Sequence, residues 1–178
     1  MKKVLVISAS DSEIETMKEA TAVLDEFEVE NELTISSAHR SPQRTTKLVS
    51  DFAAQGGKVI ICGAGLAAHL AGVIASFTTL PVIGVPVKTK TLDGLDSLLS
   101  TSQMPPGIPV ATVGINASKN AGLLAVQILA LSDKNLEKKL IAYKNKMSNE
   151  VKKKGEKLSK IGYKKYLGSP VGLRPREK

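Results

Sequence analysis

Five short runs rich in β-branched residues alternate with stretches of helical character. Val4 to Ile7 precede SEIETMKEATAVLDEF, Val29 to Ile35 precede PQRTTKLVSDFAAQG, and Lys58 to Cys62 precede LAAHLAGVIASF. Val82 to Val85 precede LDGLDSLLS, and Val110 to Val113 precede KNAGLLAVQILAL. This alternation constrains the fold more than any other feature. Parallel neighbours need a crossover of about a dozen residues or more, and runs such as VIIC and VIGV, apolar on both faces, need cover on both sides. The pattern predicts an α/β fold, a three-layer doubly wound parallel sheet, followed by a long C-terminal helix.

At 178 residues and 18.9 kDa the chain is long enough to bury one continuous core without staples. We expect an α/β catalytic domain over residues 1–132 and a basic helix and tail over 133–178. Charge marks the same division: the last segment holds 15 Lys and Arg against 5 Asp and Glu, while the preceding residues hold 10 against 12. Leu136, Leu140, Tyr143, Met147 and Val151 recur there at spacings of three and four on a lysine-rich background, a narrow apolar stripe suited to packing on neighbouring subunits. The end, GSPVGLRPREK, has the Gly and Pro content of an extended or disordered tail.

Several classes lose support at once. With no Trp and 3% aromatic residues the chain offers no stacking platform for bases, so no nucleic-acid partner is expected. A run of lysines is ordinarily a solvated helix face. The single cysteine, Cys62, can form no internal disulfide, and without a His/Cys cluster it predicts no metal site. MKKVLVIS leads directly into a β-type run, and no apolar segment approaches the ~18 residues of a membrane span. Neither a signal peptide nor a membrane partner is expected, and the setting is cytoplasmic.

In a doubly wound sheet, ligands bind at the carboxyl ends of the strands. Four stretches fall there: SASD, SSAHRS, GAGLAAHL and GVPVKT. The chain has only two histidines, His39 and His69, and they lie in the second and third. Ser8, Ser10 and Asp11 follow the first strand, where hydroxyls and a helix N-terminus favour phosphate and Asp11 is placed for a ribose hydroxyl; equally, Ser10 or Asp11 caps the helix. Ser37 and Arg40 form a second anion-binding pair, although an arginine at a strand end is more commonly a surface ion pair. Gly63, Gly65 and Gly72 let backbone approach a flat ligand, but on the third strand and without a later acidic residue they are not the dinucleotide fingerprint. His69 serves either that site or the packing of an inner helix face.

Taken together, SASD, SSAHRSP, GAGLAAHLAG, LPVIGVPV, LDGLDSLLSTSQMPPGIPVATV and NAGLLAVQIL resemble, in order and spacing, the class I N5-carboxyaminoimidazole ribonucleotide mutases of purine synthesis, the PurE family. The likeness covers most of residues 1–131. It implies a flavodoxin-like core, a homo-octamer, no metal and no organic cofactor. It also implies a small-molecule ribonucleotide substrate whose carboxylate moves from the exocyclic nitrogen to ring carbon 4. Carried onto matching positions, Ser8, Ser10 and Arg40 hold the phosphate, with Ser37 beside them; Asp11 holds the ribose, and His39 transfers protons. His69 and the glycine loop, including Gly65 and Leu70, border the imidazole and the departing CO2. An imidazole suits both proton steps near neutrality, and Ala64, Ala67 and Ala68 suit a small pocket that retains CO2.

Three positions depart from the family: Ile7 and Leu66 stand where glycine is common, and Ala71 where proline is common. Two other readings compete. One is direct CO2-dependent carboxylation of the unsubstituted ribonucleotide, as in the class II relatives. The other is a non-catalytic nucleotide-binding scaffold whose working part is the lysine-rich helix.

Overall fold

The structure is a computed structural model that describes residues 2–168. The chain divides into two compact units, Met1–Leu136 and Glu137–Lys178. In the first unit, β1 (Val4–Ser8), β2 (Asn31–Ile35), β3 (Val59–Ala64), β4 (Val82–Pro86) and β5 (Ala111–Thr112) form one sheet. Its order is β2-β1-β3-β4-β5 with every pair parallel. The chain therefore starts near the middle, winds to one edge, returns and proceeds to the other. Order and sense are those of a flavodoxin-like doubly wound sheet, whose direction of winding reverses between β1 and β3.

Side-chain alternation divides the core into two layers. Val4 and Val6 of β1, beside Val59 and Ile61 of β3, are wholly buried on the face of α1 (Ile14–Glu26) and α5 (Ser118–Ala130). Leu5, Ile7, Ile60 and Cys62 face the other way, into a cluster with Val49 and Phe52 of α2 (Pro42–Ala54) and Leu70 and Ile74 of α3 (Leu70–Ala75). Burial on both faces explains why these strands read as continuous apolar runs. The helices α1 and α5 approach closely at Gly122, where an added Cβ would lie 2.8 Å from the Ala20 carbonyl oxygen.

Local chemistry moves some boundaries from those predicted. The third helix, expected from Leu66, begins only at Leu70 because Leu66 adopts a left-handed conformation with φ of 54°; the residues before it form a loop at the sheet's end. Left-handed Leu92, Asp93 and Gly94 likewise form a separate turn before α4 (Leu95–Ser102). The fifth strand shrinks to two residues, although the Val113 N–H still donates to the Gly84 carbonyl of β4 at 3.0 Å. The helix α6 (Lys134–Leu167) is the long C-terminal helix, broken at Gly162 with φ of 74°. Its start is capped by Asp133, whose carboxylate accepts the N–H groups of Asn135 and Leu136 at 3.0 and 3.2 Å. Leu136 is buried, and the first unit ends with it, four residues beyond Ser132. Farther along the apolar stripe, Leu140 and Tyr143 are half-buried, while Met147 and Val151 are exposed. The expected extended tail, apart from Gly168, lies outside the described residues.

Candidate active site

The strand ends on either side of the switch point enclose a cleft of about 420 Å³. Its walls come from the segments after β1, β2 and β3, with Thr89 from the segment after β4.

After β2, Ser36 and Thr45 exchange a buried hydroxyl hydrogen bond of 2.8 Å that ties the strand end to α2. The turn that follows is closed by Ser37, whose Oγ accepts the Arg40 N–H at 3.2 Å and whose carbonyl accepts the Ser41 N–H at 2.9 Å. Pro42 then starts α2 at a position where no N–H is needed. This turn presents His39 and Arg40 outward. Across the cleft, His69 directly precedes α3. The two imidazoles meet edge to face, with His39 Nε2 and His69 Nδ1 3.0 Å apart, so a single proton lies between them. His69 is exposed and does not serve the inner packing that its helix suggested. The Arg40 guanidinium donates to the Ala9 carbonyl at 3.2 Å, laying a cation along the segment after β1.

The segment after β1 is arranged differently from the sequence expectation. Strand β1 runs through Ser8, which is completely buried and donates its hydroxyl to the Ser10 carbonyl at 2.7 Å. Ser8 and Asp11 do not line the cleft, whereas Ala9, Ser10, Ser12 and Glu13 do. Ile7 is buried inside β1, so the turn that could hold an anion begins after Ser8 and the residue preceding its first lining serine is Ala9. The hydroxyls of Ser10 and Ser12 are 2.6 Å apart.

Sequence reasoning missed Glu13. Its Oε2 accepts the Ser10 N–H at 2.7 Å, and its Oε1 accepts the Gly65 N–H at 3.1 Å. One carboxylate therefore bridges the β1 and β3 segments across the switch point. The available signal was the Ser-x-x-Glu spacing of a capping box from Ser10 to Glu13. A side chain at Gly65 would have to displace Thr89, since an added Cβ would lie 2.6 Å from Thr89 Cγ2. Leu70, 2% exposed, forms an apolar wall.

Of the predicted residues, then, the cleft unites Ser10, Ser37, His39, Arg40, Gly65, His69 and Leu70. Two imidazoles, a guanidinium, hydroxyls and a carboxylate surround a space with alanine walls, a set that can hold a phosphorylated polyol and move protons on a flat ring. Cys62 takes no part: it is buried in β3, and burial pushes its thiol well above the usual range, leaving no thiolate near neutrality. Among the described residues, no group of three His, Cys, Asp or Glu side chains is placed to hold a metal ion.

The AIR carboxylase family profile matches residues 3–150. The N5-carboxyaminoimidazole ribonucleotide mutase of Thermotoga maritima is 52% identical over 94% of this chain and 98% of its own length. That of Pyrococcus horikoshii is 51% identical over 91% and 92%. The phosphoribosylaminoimidazole carboxylase of Candida glabrata is 54% identical over 92% of this chain, which spans 29% of that longer protein. The crystal structure of Treponema denticola PurE matches with a TM-score of 0.78, covering 89% of this chain and 98% of that chain at 28% identity.

Proposed function

The chain belongs to the AIR carboxylase family, and from that premise we propose how its cleft works. The activity is that of an N5-carboxyaminoimidazole ribonucleotide mutase of purine biosynthesis, an isomerase that moves a carboxylate from the exocyclic nitrogen to ring carbon 4. The observation that carries the mechanism is the contact between His39 and His69, 3.0 Å across a cleft that also holds Arg40.

Protonated His39 gives its proton to the carbamate nitrogen as the C–N bond breaks, releasing CO2 and the amine. Ring carbon 4 then attacks CO2, and the now neutral imidazole removes the proton of that carbon to restore aromaticity. One proton leaves the enzyme and one returns, as an isomerisation requires. His69 orients His39 and hydrogen-bonds near the reacting groups; Gly65 and Leu70 border the ring.

The cleft lining supports assigning the phosphate to Ser10, Ser12 and Arg40, with Ser37 next to Arg40. Glu13, rather than Asp11, is the carboxylate facing that space, and we assign it the ribose hydroxyls; Ser8 supports the turn from beneath. The exposed Met147 and Val151 of α6 support packing of the C-terminal segment on neighbouring copies in a homo-octamer. A charged ribonucleotide substrate fits a cytoplasmic enzyme, and on this reading neither nucleic acid nor membrane is expected as a partner; no helix among the described residues is long and apolar enough to cross a membrane.

His39→Asn tests the mechanism. The variant should fold and assemble as the parent does, yet lose on the order of 10²–10⁴-fold in kcat, the usual contribution of a positioned acid–base group. Turnover within a few-fold of the parent removes His39 from the chemistry.

A further inference from the structure

Of the four strand ends that face a ligand in a doubly wound sheet, the one after β4, GVPVKT, brings a single side chain to the cleft, Thr89. The segment is held on both sides. The Val87 N–H donates to the Ala64 carbonyl of β3 at 2.9 Å, and the buried Ser97 hydroxyl donates to the Val87 carbonyl at 3.0 Å. The Lys88 N–H donates to Asn116 Oδ1 at 2.8 Å. Asn116, beyond β5, is left-handed with φ of 55°, and its own N–H bonds the Pro86 carbonyl at 2.8 Å. The backbone leading to Thr89 is thus fixed from β3 and from the segment after β5.

Thr89 shares a place with Glu13. A Cβ added at Gly65 would lie 2.6 Å from Thr89 Cγ2 and 3.6 Å from Glu13 Oε1, so both residues border the space left by one missing side chain. Both offer acceptors. A carboxylate has no proton to donate, and the Thr89 hydroxyl donates its own to the Thr91 carbonyl at 3.3 Å, which leaves its lone pairs for a ligand. Two neighbouring acceptors suit a ligand group with two neighbouring donors. In a ribonucleotide the vicinal ribose hydroxyls are such a group, whereas a phosphate or a carboxylate brings negative charge instead. We propose that Thr89 is a specificity-determining residue that shares the ribose with Glu13, one hydroxyl donating to Glu13 Oε1 and the other to Thr89 Oγ1. The proposal deepens the mutase reading and rests on it. Because the sugar is unchanged by the reaction, Thr89 holds substrate and transition state alike and acts on affinity rather than on the chemical step.

The test uses the full-length protein with freshly formed N5-carboxyaminoimidazole ribonucleotide and its 2′-deoxy and 3′-deoxy analogues, measuring the C4-carboxylated product. Thr89→Val, which replaces the hydroxyl by a methyl group, should raise KM about 3- to 10-fold and leave kcat within about twofold. Thr89→Ser, which keeps the hydroxyl, should stay within about twofold of the parent in both. One of the two analogues should cost the parent a factor like that of Thr89→Val, yet cost Thr89→Val nothing further, since both partners of one hydrogen bond are then gone. If each analogue costs Thr89→Val as much as it costs the parent, the proposal is overturned. A fall in kcat at unchanged KM also overturns it, assigning Thr89 to the reacting groups. Should Thr89→Val not unfold cooperatively as the parent does, Thr89→Ala makes the same comparison. If the parent forms no C4-carboxylated product from the full ribonucleotide, it is the mutase reading that fails.

Discussion

Glu13 is a side chain whose position decides how the segment after β1 works. Its carboxylate spans Ser10 and Gly65, and Oε1 keeps a lone pair for a ligand hydroxyl, whereas Asp11 is exposed and outside the cleft lining. A hydrogen bond to a charged group contributes about 1.5–3 kcal/mol, so Glu13→Gln should lower kcat/KM about 10- to 100-fold. Asp11→Asn should change it less than about threefold, as surface substitutions do. Steady-state kinetics of the pair decides between them, and the reverse ranking returns the ribose to Asp11. The sequence could not separate the two because SASDSE contains the same pattern twice, Ser8-x-Ser10-Asp11 and Ser10-x-Ser12-Glu13, two residues apart. Only the strand's true end at Ser8 chooses the second. For His69 the sequence left the packing of an inner helix face open, and for Arg40 a surface ion pair. The exposed His69 ring meeting His39 at 3.0 Å decides the first, and the Arg40 guanidinium on the Ala9 carbonyl bears on the second.

At the level of elements, the parallel strands were legible because burial on both faces leaves an unbroken apolar run, and the helices because their crossovers needed the length. The short α3 was not, since GAGLAAHLAG reads as helix unless Leu66 is known to turn left-handed. That departure from helical geometry is what forms the cleft's third wall. The helix α6 was legible from its stripe, but its partner was not. Because the first unit ends at buried Leu136, removing residues 137–178 should leave a folded α/β unit. It should, however, reduce the mass measured by light scattering, since a one-sided stripe needs a partner. An octamer of undiminished subunit number would free the segment from any role in assembly.

At the scale of the molecule, the sheet order β2-β1-β3-β4-β5 brings the ends of β1 and β3 together and sets β2 with its histidine beside them, so one cleft gathers chemistry from three distant stretches of chain. Its contents suit transfer within one bound substrate: a cation and hydroxyls to hold the ribonucleotide, a pair of imidazoles to move one proton out and back, and alanine walls to keep CO2 near the ring. The most direct test compares N5-carboxyaminoimidazole ribonucleotide with the unsubstituted ribonucleotide, side by side at controlled CO2. The account predicts efficient conversion of the first at low bicarbonate and weak carboxylation of the second until CO2 is raised far above ambient. If the unsubstituted ribonucleotide proves the better substrate at ambient CO2, the enzyme is a direct carboxylase, and His39 acts only as the base.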